Sequence, residues 1–97
     1  SGSKNRLLIN KLNINKLKIE IMELNEFVAH FAEQFEETEA SVFTPETKYH
    51  DLEEWSSLIG LSVIAMVDDE YDVMLKGNEV KVAITIEDLY NIVKGKM

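Results

Sequence analysis

The sequence contains no cysteine, one proline and four glycines in 97 residues. Without cysteine there can be no disulfide framework, zinc ribbon or thiol nucleophile, a composition that suits a reducing compartment and points to the cytoplasm. Imidazoles are scarce too. His30 and His50 are the only two, and no nucleophile-elbow glycines flank a serine, so a Ser-His-Asp hydrolase is not expected. Cations are outnumbered, with ten Lys and Arg against eighteen Asp and Glu and a net charge of −8. That balance argues against a surface built to neutralise nucleic acid phosphates. No apolar run reaches the roughly 20 residues that cross a bilayer, and no secretory apolar stretch precedes a small-residue cleavage site. A chain this short supports one small core, burying about 60% of its unfolded surface, and no large catalytic cleft.

What is present divides near Met22. Residues 1–21 hold Lys4, Arg6, Lys11, Lys16 and Lys18 against Glu20 alone, a net of +4, which leaves −12 on the other 76 residues. The first part is written almost wholly in Lys, Asn, Leu and Ile, without a clean helical or strand period. Together with the Ser1-Gly2-Ser3 start, this reads as a tag, a translated leader or a disordered extension, with the folded domain at 22–97. The rival reading is a basic amphipathic arm, whose apolar face Asn10, Asn13 and Asn15 interrupt.

From Met22 onward the pattern is helical. Leu24, Phe27, Val28, Phe31 and Phe35 recur at spacings of three and four, predicting a helix over roughly 23–37, with Glu23 and Glu26 favouring its positive end. Residues 38–54 lose this period, and Thr44-Pro45 opposes helix, so a long loop is expected, pinned by Val42, Phe43, Tyr49 and Leu52. A second helix begins at Ser56 or Ser57 and ends near Tyr71 or Asp72, with Leu58, Leu61, Ile64 or Ala65, and Met66 or Val67 available to its buried stripe. Gly77-Asn78 marks a turn before a short element. The cluster of Met74, Leu75 and Val80 to Ile84 is expected to close the core against the second helix. Thr85 followed by Asp88 resembles a helix-entry signal for a last helix reaching Gly95. The expected fold is all-α, with three main helices and a short one.

Chemistry concentrates at Glu54-Trp55-Ser56-Ser57-Leu58. Here a serine hydroxyl meets the N-terminus of an apolar helix, where unpaired backbone N–H groups favour a phosphate. The bland alternative is that serine simply caps the helix. This junction, and the order of elements from about Met22 to Lys94, resemble the acyl carrier protein family, whose motif is Asp-Ser-Leu at the start of the second helix of a four-helix bundle. The match here is Ser56-Ser57-Leu58, and the resemblance extends through Asp68-Asp69-Glu70-Tyr71 to Thr85-Ile86-Glu87-Asp88-Leu89.

The resemblance implies a carrier rather than an enzyme. It implies 4′-phosphopantetheine, delivered from coenzyme A by a phosphopantetheinyl transferase and attached to Ser57, with acyl groups held as thioesters on the arm's thiol. It also implies partners that load and use the acyl group in fatty-acid, lipid or secondary-metabolite biosynthesis, docking on Ser56, Leu58, Ile59, Ser62, Met66, Asp68, Asp69 and Glu70. Ser56 replaces the family's usual Asp, and Ile59 and Ser62 replace acidic residues, so a specialised carrier with a more apolar docking surface is expected. The alternative is a helical interaction module that kept the fold without the arm and binds through the Ile59 surface.

Other candidates are weaker. Trp55 is expected to close the end of the bundle and His30 to sit at the core boundary. His50 has no neighbours in sequence that would complete a metal set. A calcium loop counted from Asp68 requires glycine at its sixth position, where Val73 stands. Adjacent Glu53 and Glu54 are not placed to converge on one substrate. No metal is expected, and the acidic charge favours a monomer.

Overall fold

The computed structural model describes the backbone of residues 2–97 and the side chains of residues 16–97. Four α-helices run in the order α1 (Gly2–Ala32), α2 (Ser57–Tyr71), α3 (Gly77–Val82) and α4 (Ile86–Lys96), and two single 3₁₀ turns, Ala40–Val42 and Tyr49–Asp51, punctuate the connection between α1 and α2. No strand occurs among the described residues. The protein is all-α.

The core forms where α1, α2 and α4 turn their apolar stripes together under the long connection. Phe27 and Phe31 from α1, Val63 and Val67 from α2, and Ile86, Leu89 and Val93 from α4 are sealed from solvent, and Tyr49 enters from the connection. Much of this core is aromatic. The Phe31 ring lies 5.2 Å from Tyr49 and 5.6 Å from Phe35, and Phe35 lies 4.8 Å from Phe43, distances at which ring edges meet ring faces favourably.

Two non-local devices hold the connection in place. The carboxylate of Glu54 accepts the backbone N–H groups of Glu36 (2.8 Å), Glu37 (3.1 Å) and Thr38 (2.8 Å), and the Thr38 hydroxyl donates to it at 2.7 Å. At its far side the chain docks on α4, because the carbonyls of Thr47 and Pro45 accept from the N–H groups of Ile86 (3.2 Å) and Glu87 (2.9 Å). These are first-turn donors that no helix can satisfy internally. Directly after Glu54 the chain delivers Trp55, Ser56 and Ser57.

Several expectations change. The first helix begins at Gly2 and passes through Met22 unbroken, and it stops at Ala32 rather than near residue 37. Its last turn tightens, Glu33 still donating to Ala29 while Gln34 and Phe35 donate three residues back to Phe31 and Ala32, and the next N–H groups, of residues 36–38, go to Glu54. In the connection, Phe43 and Tyr49 are buried and Leu52 half-buried, but Val42 is exposed and pins nothing. In α2 the buried stripe is Gly60, Val63, Met66 and Val67, whereas Leu58 and Leu61 are 74% and 62% exposed. Of the segment after α2, Leu75, Val80 and Ala83 are buried, while Met74, Val82 and Ile84 face outward.

Candidate functional site

The two serines at the head of α2 have different jobs. Ser56 is the N-cap: its backbone is extended (φ −154°, ψ 169°) and its Oγ accepts the N–H of Ile59 at 3.3 Å. Ser57 is the first residue inside the helix and is exposed. Because Ser56 supplies the cap, the Ser57 hydroxyl is not committed to the backbone. The N–H groups of Ser57 and Leu58 belong to the first turn, where an α-helix offers no carbonyl to them and its dipole presents partial positive charge. No Asp or Glu lies in this first turn to compete for that field.

Beside Ser57 a cleft of about 420 Å³ opens between α2 and α3, lined by His50, Trp55, Ser57, Gly60, Leu61, Ile64, Gly77, Val80 and Lys81. Its wall is mainly hydrocarbon and indole. Gly60 contributes by what it lacks: a Cβ there would stand 3.6 Å from the Trp55 ring. Trp55 is held by aromatic neighbours, with Tyr49 at 4.8 Å and His50 at 5.3 Å between ring centres. It therefore closes this end of the bundle while forming part of the cleft.

Polar groups around the cleft are tied into the fold. His50 Nε2 lies 3.0 Å from the carbonyl oxygens of both Val80 and Ala83. Both partners are acceptors, so Nε2 carries the proton. The Tyr49 hydroxyl donates to the same Val80 carbonyl, and burial, followed by the nearby Asp88 carboxylate, pushes its pKa well above the usual phenol range. Neither group is offered as a base. Tyr71 is half-buried against α1 with its hydroxyl oxygen buried and, among the described residues, without a hydrogen-bond partner, and its pKa is pushed up to about 12 by burial and then by Glu26 and Glu70.

The expected docking residues divide. Ser56, Leu58, Ser62, Asp68, Asp69 and Glu70 are exposed. Ile59 is half-buried against the core, and Met66 is only 7% exposed. Met66 belongs to the interior because it follows Val63 by three positions on the inward stripe, and it cannot form part of a docking surface. Leu61, whose spacing makes it available to the buried stripe, lies exposed at the cleft. His30 is half-buried at the edge of the core, its ring nitrogens 3.6–3.9 Å from carboxylate oxygens of Glu26, Glu33 and Glu70. Among the described residues no group of three or more His, Asp and Glu side chains has the arrangement of a metal site. No described helix is long and apolar enough to cross a membrane.

Comparison of the chain with family models, with curated proteins and with solved structures returns no match.

Proposed function

We propose that the protein is an acyl carrier, with 4′-phosphopantetheine attached to the hydroxyl of Ser57 and acyl groups borne as thioesters. The observation that carries this reading is the division of labour at the head of α2: Ser56 caps the helix, and Ser57 is left exposed at its first position beside an apolar cleft. The acyl-carrier-like arrangement of three main helices and a short one belongs to the same proposal. So do a cytoplasmic setting, a monomeric state and a role as carrier rather than catalyst.

The residues present fit the group. An exposed hydroxyl gives an external transferase access without any activating histidine of this chain, and first-turn N–H groups favour the phosphodiester that results. The bound arm supplies a thiol to a protein that has no cysteine. Leu61, Ile64, Val80 and Trp55 line a cleft that removes hydrocarbon from water, at about 25 cal/mol per Å² of apolar surface covered. Leu58 and Leu61, both exposed, offer partners an apolar contact near Ser57, with Asp68, Asp69 and Glu70 further along the helix for electrostatic steering.

The test is incubation with coenzyme A, Mg²⁺ and a phosphopantetheinyl transferase of broad specificity. Wild type is expected to gain the mass of one arm, and Ser57→Ala to gain none while keeping a helical spectrum. A folded wild type that stays unmodified contradicts the proposal. The exposure of Leu58 favours a second reading, an interaction module without the arm, which predicts partner binding indifferent to Ser57→Ala.

A further inference from the structure

A groove of about 590 Å³ runs between α1 and the first half of the connection, and it shares no lining residue with the cleft beside Ser57. Its floor is the face of α1 that carries Asn25, Val28, Ala29 and Ala32, at spacings of three, one and three, and its far wall includes Phe43 and Pro45 from the connection. Most of the surface it presents is apolar. Short side chains keep it open, because Ala29 is exposed and Ala32 half-buried where longer residues would fill the space. The wall is fixed before anything binds. Thr38 is held by Glu54 at 2.8 Å, the Thr44 N–H donates to the Thr47 hydroxyl at 2.8 Å, and the Pro45 carbonyl accepts the Glu87 N–H at 2.9 Å. A preformed groove spares a ligand the cost of ordering it.

The rim determines what can occupy it. Glu33 lines the groove, and Glu26, Glu36, Glu37, Glu39 and Glu46 each adjoin a lining residue in the chain; all are exposed. No lining residue or chain neighbour of one is Lys or Arg. His30, the imidazole among those neighbours, lies within 3.9 Å of carboxylate oxygens of Glu26, Glu33 and Glu70. The lysine ion pairs among the described residues engage Glu20 and Glu79, which are not part of this rim. An apolar trough edged by carboxylates without lysine or arginine partners favours a ligand that is apolar along its middle and cationic at its flanks, and it repels acidic ones. Its length suits a helix. The α1 face from Asn25 to Glu33 extends about 12 Å at the rise of an α-helix, roughly two turns of a partner laid along it.

We propose that this groove docks a basic amphipathic helix of a partner protein, which seats apolar side chains over Ala29 and Ala32 and sets Lys or Arg against Glu33 and the acidic residues around it. The interaction stands apart from Ser57 and does not depend on the carrier reading.

The full chain is titrated with two synthetic helical peptides that share leucines at helical spacing and differ only in carrying Lys or Glu at the flanks. Wild type is expected to bind the Lys-flanked peptide at least about tenfold more tightly than the Glu-flanked one, with the difference shrinking at high salt. Backbone amide resonances of residues 25–33 and 39–46 should shift on binding, and those at the head of α2 should not. Glu33→Lys combined with Glu39→Lys should narrow the preference. Ala29→Arg, which blocks the floor with a like charge at an exposed position, should abolish binding while thermal unfolding still reports a folded core, whereas Val82→Asp, at an exposed apolar position outside the groove, should leave it intact. Equal affinity for the two peptides, affinity for neither, or wild-type affinity in folded Ala29→Arg overturns the proposal. So do resonance shifts confined to α2, which would place the peptide elsewhere, and sedimentation of the chain alone as a dimer that Ala29→Arg dissociates, which would make a second copy the occupant.

Discussion

Adjacent serines at the head of α2 have separable effects. Replacing Ser56 by Ala removes the acceptor of the Ile59 N–H and should lower stability by about 1 kcal/mol, read from a denaturant midpoint, while leaving Ser57 open to modification. Glu54 offers a different test. Its carboxyl is held below the ordinary range, first by the Thr38 hydroxyl and then by the N–H groups of Glu36, Thr38 and Glu37. A depressed folded-state value means that the unfolded chain takes up the proton first. The contribution is therefore complete above the unfolded value of about 4.3 and is lost as the pH falls through the folded value. Melting temperatures of wild type and Glu54→Gln should differ most near neutrality and converge in acid; a gap that widens in acid would contradict this account of the loop. The Ser-Ser-Leu junction was legible in the sequence because capping is local chemistry. The burial of Met66 and the exposure of Leu58 and Leu61 were not. Nearly every position of α2 up to Val67 that could face inward is apolar, so the period was readable while its phase depended on which helices packed against it.

At the scale of elements, α2 is bounded by chemistry at both ends. Ser56 starts it, and Asp72 ends it in the left-handed region at φ 58°, its N–H donating to the carbonyl of Asp68. Aspartate tolerates that conformation at a cost glycine avoids, so Asp72→Gly should be neutral or stabilising by up to about 1 kcal/mol. Inside the helix, Gly60→Ala has room, since the new Cβ would meet Trp55 at ordinary contact distance. Removing a flexible glycine from a helix interior should raise stability by roughly 0.5–1 kcal/mol; a loss on thermal unfolding would show that the Trp55 contact is less tolerant than its geometry implies. The last helix was equally readable, because Thr85 and Asp88 exchange cap hydrogen bonds of 3.1 Å in each direction. The limits of α1 were not. Its end is a tightened turn at Gln34 and Phe35 followed by N–H groups that go to Glu54, far along the chain, and its beginning was obscured by Leu8, Leu12 and Ile19, whose spacing blurs the helical period.

The whole molecule combines a small aromatic core with an uneven charge. Phe31 touches the ring systems of Phe35, Phe43, Tyr49 and Trp55, so it links α1 to the connection that presents Ser57. Phe31→Ala should cost about 3–5 kcal/mol, a large share of the 5–15 kcal/mol typical of a folded domain. The outer part of α1 is positive and the remainder of the chain acidic. Composition made this split readable without a structure. What composition did not give is the cleft between α2 and α3, whose lining joins Trp55 and Gly60 to Val80, far apart in sequence.

The carrier account rests on one oxygen atom, and fragmentation mass spectrometry of the transferase-treated protein addresses it most directly. The account predicts a single phosphopantetheine arm, assigned within the peptide spanning Trp55 to Leu58 to Ser57 and not to Ser56. An arm on Ser56, on any other residue, or on none while the chain remains folded would contradict it.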